Sequence, residues 1–598
     1  MATTRVKDPF LTGMISLMIG ACLAPAIPAH ADEAPSEARK RLNQQFNKAI
    51  HSLIEASQNE TQREHRRKAL LPTDPSRLYL FIPPGDDSNQ PAVDDAALAR
   101  VQQIFGEKIF QLAVRSIQAD EAGQAYRWLH EVLRYIPDHK EATRLLNMPK
   151  NRAARIRPGQ RTHPKYGWKT GSYLQIDTPN FRITTNRGEA AGKKLADTLE
   201  ELNSAWRQLF FDYWSRPAAL KVALTGRPLT LRSKAKHQVV LFRDRIQYTE
   251  FVKAIEPNAQ MTLGYYHAPS RTAFFFGDES NQSTWRHEAT HQLFQEKKRT
   301  PSRVGETAHF WVVEGIALYM ESLKNSNNLA SLGGIESDRL QFARYRFLRE
   351  SFYVPFDRFA ALGRIDLQQD PQIRKLYSQA AGLTHFFMNG KDDQRRSAFI
   401  DYITSVYAPE TKANALAKLV DDNPSQIDQQ YHDFLNVDDS DLLMLDPSVR
   451  LHNLAFGSTH ITDRGLQAVE RLEKLVWLDL KGTKISDLGT THLPTAESLI
   501  QLSLEQTQIG NETVARLAPA LQLEDLDLSH TNINDDALSM IAKFPNLKIL
   551  WLTGTEVSDE GIRHLHNHAN LREVDLSGTK VTPAGQQQLQ EMLQNKSE

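Results

Sequence analysis

Leu478-Asp479-Leu480-Lys481-Gly482-Thr483-Lys484-Ile485 is one copy of a pattern that returns through the last quarter of the chain. Thr459, Thr483, Thr507, Thr531, Thr555 and Thr579 follow one another at a spacing of 24 residues. Two places after each stands Ile461, Ile485, Ile509, Ile533, Val557 or Val581. Before each stands an apolar pair: Leu454/Phe456, Leu478/Leu480, Leu502/Leu504, Leu526/Leu528, Leu550/Leu552 or Val574/Leu576. Apolar residues at alternate positions mark a short strand with one buried face. Helical segments such as Asp487 to Leu493 and Asp535 to Ile541 fall between the strands. One strand and one helix per unit cannot bury their apolar edges alone, so the units must stack into a solenoid.

The period and the pattern are those of a leucine-rich repeat, which we assign to 450–598. Its expected concave positions include Trp477, Asp479, Asp527, Trp551 and Asp575, aromatic and acidic residues that suit a protein partner of basic character. A solenoid serving only as a spacer is the other reading. Immediately upstream, Asp438-Asp439-Ser440-Asp441 and Asp446-Pro447 give 437–449 the composition of a linker.

Further upstream, His287-Glu288-Ala289-Thr290-His291 carries the chemistry. Residues four apart share a helix face, so His287 and His291 can offer both imidazoles to one Zn²⁺ while Glu288 stands beside the water to be activated. Glu314, in a second helical segment, is the candidate third ligand. Two histidines and one carboxylate leave a coordination position open, as a catalytic zinc requires. Such an ion lowers the pKa of water and polarises a scissile carbonyl, and Glu288 is placed as the general base. His309 and His385 read as core or surface histidines outside the ligand set.

Trp311-Val312-Val313-Glu314-Gly315-Ile316-Ala317-Leu318-Tyr319-Met320-Glu321 resembles the W-L-x-E-G-F-A-x-Y-x-E segment of the gluzincin metallopeptidases, the peptidase MA superfamily. The resemblance implies an α+β peptidase domain over 158–436 and makes Glu314 the third zinc ligand. Tyr377-Ser378-Gln379-Ala380-Ala381-Gly382-Leu383 is similar to the aminopeptidase Y-x-K-G-A-x-x segment, which implies that Tyr377 donates a hydrogen bond to the oxyanion. Gln379 stands where that family has lysine. The G-x-M-E-N stretch that captures a free amine is missing from Thr272 to Glu279, so the resemblance favours an endopeptidase. Thr272 to Phe276 reads either as an edge strand that pairs with substrate or as core. Glu321 reads either as a hydrogen-bond partner of a ligand histidine or as a surface carboxylate.

The remainder of the chain frames these two parts. Residues 32–157 read as a helical module, with Ser36 to Lys68 as one amphipathic helix and Ala125 to Asp138 resembling a single tetratricopeptide-like hairpin. Before it, Arg5 and Lys7, the apolar run Phe10 to Leu23 and Ala29-His30-Ala31 make 1–31 a secretory signal peptide, so the protein is expected to be exported. Ile19-Gly20-Ala21-Cys22 leaves open a lipid-anchored form through Cys22, the one cysteine of the 598 residues. Basic and acidic residues balance at 72 each, which gives no charge-based reason to expect nucleic acid as a partner. No segment after the leader is apolar for long enough to span a bilayer.

The expectation is therefore a multidomain chain: a helical segment, an α+β gluzincin-type metallopeptidase domain, and a leucine-rich repeat solenoid. It would hydrolyse a polypeptide substrate with zinc and bind a protein partner through the repeats. The competing expectation is an inactive peptidase-like scaffold acting as a binding module. Retention of Glu288 argues against it, because a scaffold needs the ligands but not the base.

Overall fold

The computed structural model describes residues 33–82, 95–147, 153–216, 218–229, 235–257, 262–277, 279–297, 304–326, 328–389, 393–408, 415–420, 423–445, 451–472, 474–493 and 498–594. The expected leader with Cys22 and residues 446–449 of the expected linker lie outside them. The chain is a multidomain α+β protein with mixed sheets and a parallel-strand sheet toward its C-terminus. One compact unit comprises residues up to 73, 78–302 and 323–332; a second comprises 74–77, 303–322 and 333 onward.

The first unit begins with helices Pro35–Glu55, Glu60–Arg67, Ala96–Gln118, Ala122–Tyr135 and Lys140–Leu146. The helix expected over Ser36 to Lys68 is broken, because Asn59 adopts an extended backbone and its side chain caps the N–H of Gln62. Phe46 stacks on Phe105 at 4.0 Å, with the Tyr135 ring edge-on to both. Asp95 caps Leu98 N–H and pairs with buried Arg66 at 2.7 Å, so the start of Ala96–Gln118 is tied to the helix before it. Strand β1 (Arg77–Phe81) lies between the second and third of these helices in the chain.

A six-stranded mixed sheet forms from β2 (Arg155–Pro158), β3 (Leu174–Asp177), β4 (Phe181–Thr185), β5 (His237–Phe242), β6 (Gly264–His267) and β7 (Thr272–Phe276). Its order is β2-β3-β4-β5-β7-β6, parallel through β4, β5 and β7 and antiparallel at both ends. Alternation sends Val240, Phe242, Phe274 and Phe276 to one face, which helix Arg245–Ile255 covers. Helix Glu189–Leu209 covers the other, where Gly192 admits Ile176: a Cβ there would lie 2.5 Å from Ile176 Cδ1. All five residues of β7 are buried between β5 and β6, so Phe274, Phe275 and Phe276 are core and the edge strand is β6. Strands β8 (Lys324–Ser326) and β9 (Leu329–Gly333) form a smaller sheet with β1, in the order β1-β9-β8.

The second unit contains helices Phe310–Met320, Asp338–Leu348, Phe356–Ala361, Ile373–Asn389, Asp393–Tyr407 and Pro424–Leu435, and Trp311 of the first is enclosed by Phe356, Phe359, Phe387, Phe399 and Tyr402. The repeats follow as β10 (Asn453–Ala455), β11 (Trp477–Asp479), β12 (Gln501–Ser503), β13 (Asp525–Asp527), β14 (Ile549–Trp551) and β15 (Glu573–Asp575), all parallel and in register. Each repeat threonine closes the turn after its strand: its hydroxyl donates to the carbonyl three residues back at 2.5 to 2.7 Å. The residue before it, Ser458, Gly482, Gln506, His530, Gly554 or Gly578, adopts a left-handed φ between 54° and 71°. A second ladder joins successive units. Asp439, Asp463, Asp487, Asn511, Asp535 and Asp559 accept the backbone N–H groups of Thr462, Ser486, Gly510, Asn534, Ser558 and Thr582.

Asp439 lies in the stretch read as a linker, and the described part of that stretch is ordered. Helix Asp439–Leu443 is capped by Asp438, and Val437, Leu442 and Leu445 join the repeat core. The acidic run is a capping box and the first rung, not a solvated tether. The open edge of β10 is closed by Gln341, whose Nε2 donates to Asn453 O and whose Oε1 accepts from Ala455 N at 2.9 and 2.8 Å. Among the described residues no helix is long and apolar enough to cross a membrane.

Asp463→Ala removes the acceptor for both the N–H and the hydroxyl of Ser486, held at 2.7 and 2.6 Å. It is expected to cost about 1–2 kcal/mol of stability. Denaturant titration checks this, and an unchanged midpoint would remove the ladder from the account of stability.

Candidate metal centre

Helix Gln282–Lys297 carries the His287 to His291 turn. Trp285, Ala289, Leu293 and Phe294 bury its apolar side. Polar residues fix its seat on the sheet: Gln292 Nε2 donates to Gln238 O at 3.1 Å and to Glu296 Oε1 at 2.9 Å, and Glu296 Oε2 lies 2.7 Å from His237 Nδ1. Thr284 packs against Gly264 of β6, where a Cβ would lie 2.7 Å from its methyl carbon.

With the helix seated in this way, His287 and His291 stand half-buried with their Nε2 atoms 3.2 Å apart and their rings inclined at 77°. Two nitrogens each about 2.0–2.1 Å from one tetrahedral zinc would be about 3.3 Å apart. A shared N–H···N hydrogen bond fits the same distance, so the pair alone does not define a metal site. A third donor stands beside it: one ligand atom from each of His287, His291 and Glu314 lies within 4.8 Å of the other two, a group that could hold a metal ion. Glu314 is 8% exposed on helix Phe310–Met320. Two imidazoles and a carboxylate form the donor set that zinc takes in catalytic sites, so these residues fit the ion.

Glu288 does not join that group; its Oε2 accepts the backbone N–H of Tyr266 on β6 at 2.9 Å. An edge-strand amide thus orients the carboxylate next to the histidine pair. This partnership has no local sequence signal, because the two residues are 22 positions apart.

Helix Phe310–Met320 packs against helix Ile373–Asn389, which carries Tyr377, half-buried on its first turns. Gly315 permits that approach, since a Cβ there would lie 2.3 Å from Thr384 Oγ1 and 2.9 Å from Ala380 O. The helix start is held as firmly. His309 adopts a left-handed φ of 64°, its N–H donates to Ala360 O at 2.9 Å, and its Nδ1 lies 2.9 Å from Tyr402 Oη. Gln379 serves the backbone, accepting from Val354 N–H at 2.9 Å and donating to Val354 O at 2.6 Å. Glu321 makes a two-point pair with Arg339, at 2.9 and 3.1 Å. His385 is fully buried, and burial pushes its pKa down to about 3, so at neutral pH it is an uncharged core residue.

Residues 281–409 match a family described as a protein of unknown function (DUF1570). The matched stretch contains His287, Glu288, His291, Glu314 and Tyr377. Residues 523–542 match a leucine-rich repeat family. No curated protein matches the chain. The chain is thus a multidomain protein containing leucine-rich repeats, an architecture suited to protein–protein interaction.

Gly315→Ala forces the two helices apart and is expected to cost about 1–3 kcal/mol. A melting temperature equal to that of the parent protein would show that the helices do not depend on this contact.

Proposed function

We propose that the chain is an exported zinc-dependent peptidase of gluzincin type that cleaves within polypeptides. The observation that carries the reading is the convergence of His287, His291 and Glu314, with donor atoms within 4.8 Å of one another, on the helix turn that also bears Glu288. When bound by these three residues, zinc supplies Lewis acidity toward a substrate carbonyl and lowers the pKa of water.

The chain's own residues supply the rest. Glu288, oriented by the Tyr266 N–H, takes the proton of the attacking water and passes it to the departing amine. Tyr377 donates a hydrogen bond to the oxygen on which negative charge develops. Strand β6 takes the place first considered for β7: as the sheet edge whose Tyr266 N–H holds Glu288, it is the strand an extended substrate would meet. The signal-peptide reading of 1–31 supports export. The hairpin of Ala96–Gln118 and Ala122–Tyr135 is read as a tetratricopeptide-like element packed on its neighbours.

The test is metal analysis combined with cleavage of an unfolded protein. Glu288→Gln is expected to retain zinc and lose about a hundred-fold or more in turnover. Tyr377→Phe should also keep its zinc while turnover falls by about ten-fold or more. If protein prepared with metal holds no zinc, the ligand assignment and the enzyme both fall. If zinc is bound but wild type and Glu288→Gln are equally inert, the protein is a binding scaffold.

A further inference from the structure

The register of the parallel ladder aligns Ala455, Asp479, Ser503, Asp527, Trp551 and Asp575 in one column along the outward face of the strands. Acid returns at every second strand. Neighbouring strands are about 4.8 Å apart, which puts successive acids about 10 Å apart. That is the span of about three residues of extended chain. The adjacent column adds Asp525 and Glu573, and neither column contains a lysine or arginine.

The first acid of the series already receives a cation from this chain. Arg349 Nε lies 3.4 Å from Asp479 Oδ2, its Nη2 lies 3.9 Å from Glu505 Oε2, and Lys481 pairs with the same glutamate at 2.5 Å. Tyr345 sets its ring against Trp477 beside them, at 6.0 Å. Trp477 and Asp479, expected to be open to a partner, are therefore engaged from within. Asp479 is 2% exposed, with the Arg349 guanidinium beside its buried carboxylate.

The later acids repeat this position without an ion pair of their own among the described residues, although Lys481, bound to Glu505, acts on Asp527 from a distance. Asp527 accepts from Ser529 N–H at 3.0 Å and Ser503 Oγ at 3.4 Å, and Asp575 accepts from Ser577 N–H at 2.9 Å. Burial pushes the pKa of Asp525 and Asp527 up, and Asp527 and Glu573 add to the rise at Asp525. Half-buried Trp551 donates from its indole to Asp525 at 3.1 Å and offers a ring to a cation. Basic residues of these repeats lie outside the columns: Lys481 is paired with Glu505, Lys548 is paired with Glu524, and Arg572 precedes β15.

We propose that the Asp527–Trp551–Asp575 track is the docking surface for a partner protein, which it takes through an extended segment with lysine or arginine at every third position. Arg349 is the internal example of the contact. The inference rests on the repeats and does not depend on zinc or catalysis.

Fluorescence anisotropy on the full chain, carrying Glu288→Gln so that cleavage cannot intervene, tests it with labelled peptides. One repeats Lys-Ser-Ser, one has the same composition with its lysines contiguous, and one repeats Glu-Ser-Ser. The spaced lysine peptide is expected to bind about five-fold tighter than the contiguous one, more weakly as salt rises, and the glutamate peptide not at all. Asp527→Asn/Asp575→Asn should weaken binding about ten-fold at an unchanged melting temperature, while Glu556→Gln, outside both columns, leaves it unaltered. Absence of binding, equal binding by the double variant, or equal binding of the glutamate peptide overturns the proposal. Self-association abolished by the double variant, without peptide binding, would make a second copy the occupant and overturn it as well.

Discussion

The buried guanidinium of Arg344 is the point at which the helices of the second unit and the repeats become one body. It is 1% exposed, lies over the Phe456 ring at 5.5 Å, and donates to Leu435 O at 3.0 Å and to Ile335 O and Ala455 O at 3.3 Å. Burial pulls its pKa down to about 10, against the pull of Asp441, Tyr431 and Glu336, so it remains charged. A buried cation without hydrogen-bond acceptors would cost several kcal/mol. Three carbonyls, one from the turn before its own helix and two from distant segments, therefore converge on it. Gln341, one turn earlier on the same helix, closes the edge of β10 that would otherwise expose unpaired backbone groups.

The solenoid was legible because its rules are local and repeated. Each threonine acts within its own turn, and six copies in phase leave no other reading. Less legible were the left-handed residues, since Ser458, Gln506 and His530 occupy a conformation that glycine takes in the other three repeats. In the stretch expected to be a linker, Asp438 caps its own turn at Ser440 and Asp441, whereas the acceptor role of Asp439 toward Thr462 spans 23 residues and has no local signal. Strand β7 was ambiguous for a related reason. A run of three phenylalanines records burial but not whether a neighbour lies on one side or both.

At the candidate site, the spacing of His287, Glu288 and His291 was sufficient to put them on one helix turn. Glu314 was found through its phrase, and Gly315 within that phrase has a packing reason that spacing does not reveal. What could not be read were contacts made by backbone atoms. The Tyr266 N–H on Glu288 depends on where an edge strand falls, and the exchange between Gln379 and Val354 depends on a loop returning to the helix. Every amide in a sequence looks alike, so such partners are invisible until the chain is folded.

The aspartate ladder makes the repeat array modular. Each block of 24 residues both supplies an acceptor to the next block and donates to the previous one, beginning at Asp439 in the cap and ending at Thr582. A block can therefore be duplicated or deleted in a gene without orphaning a buried donor or acceptor, and each added copy lengthens the array by one strand, about 4.8 Å. The number of acids along the outward face, and with it the length of segment the face can hold, is thus open to change by recombination alone.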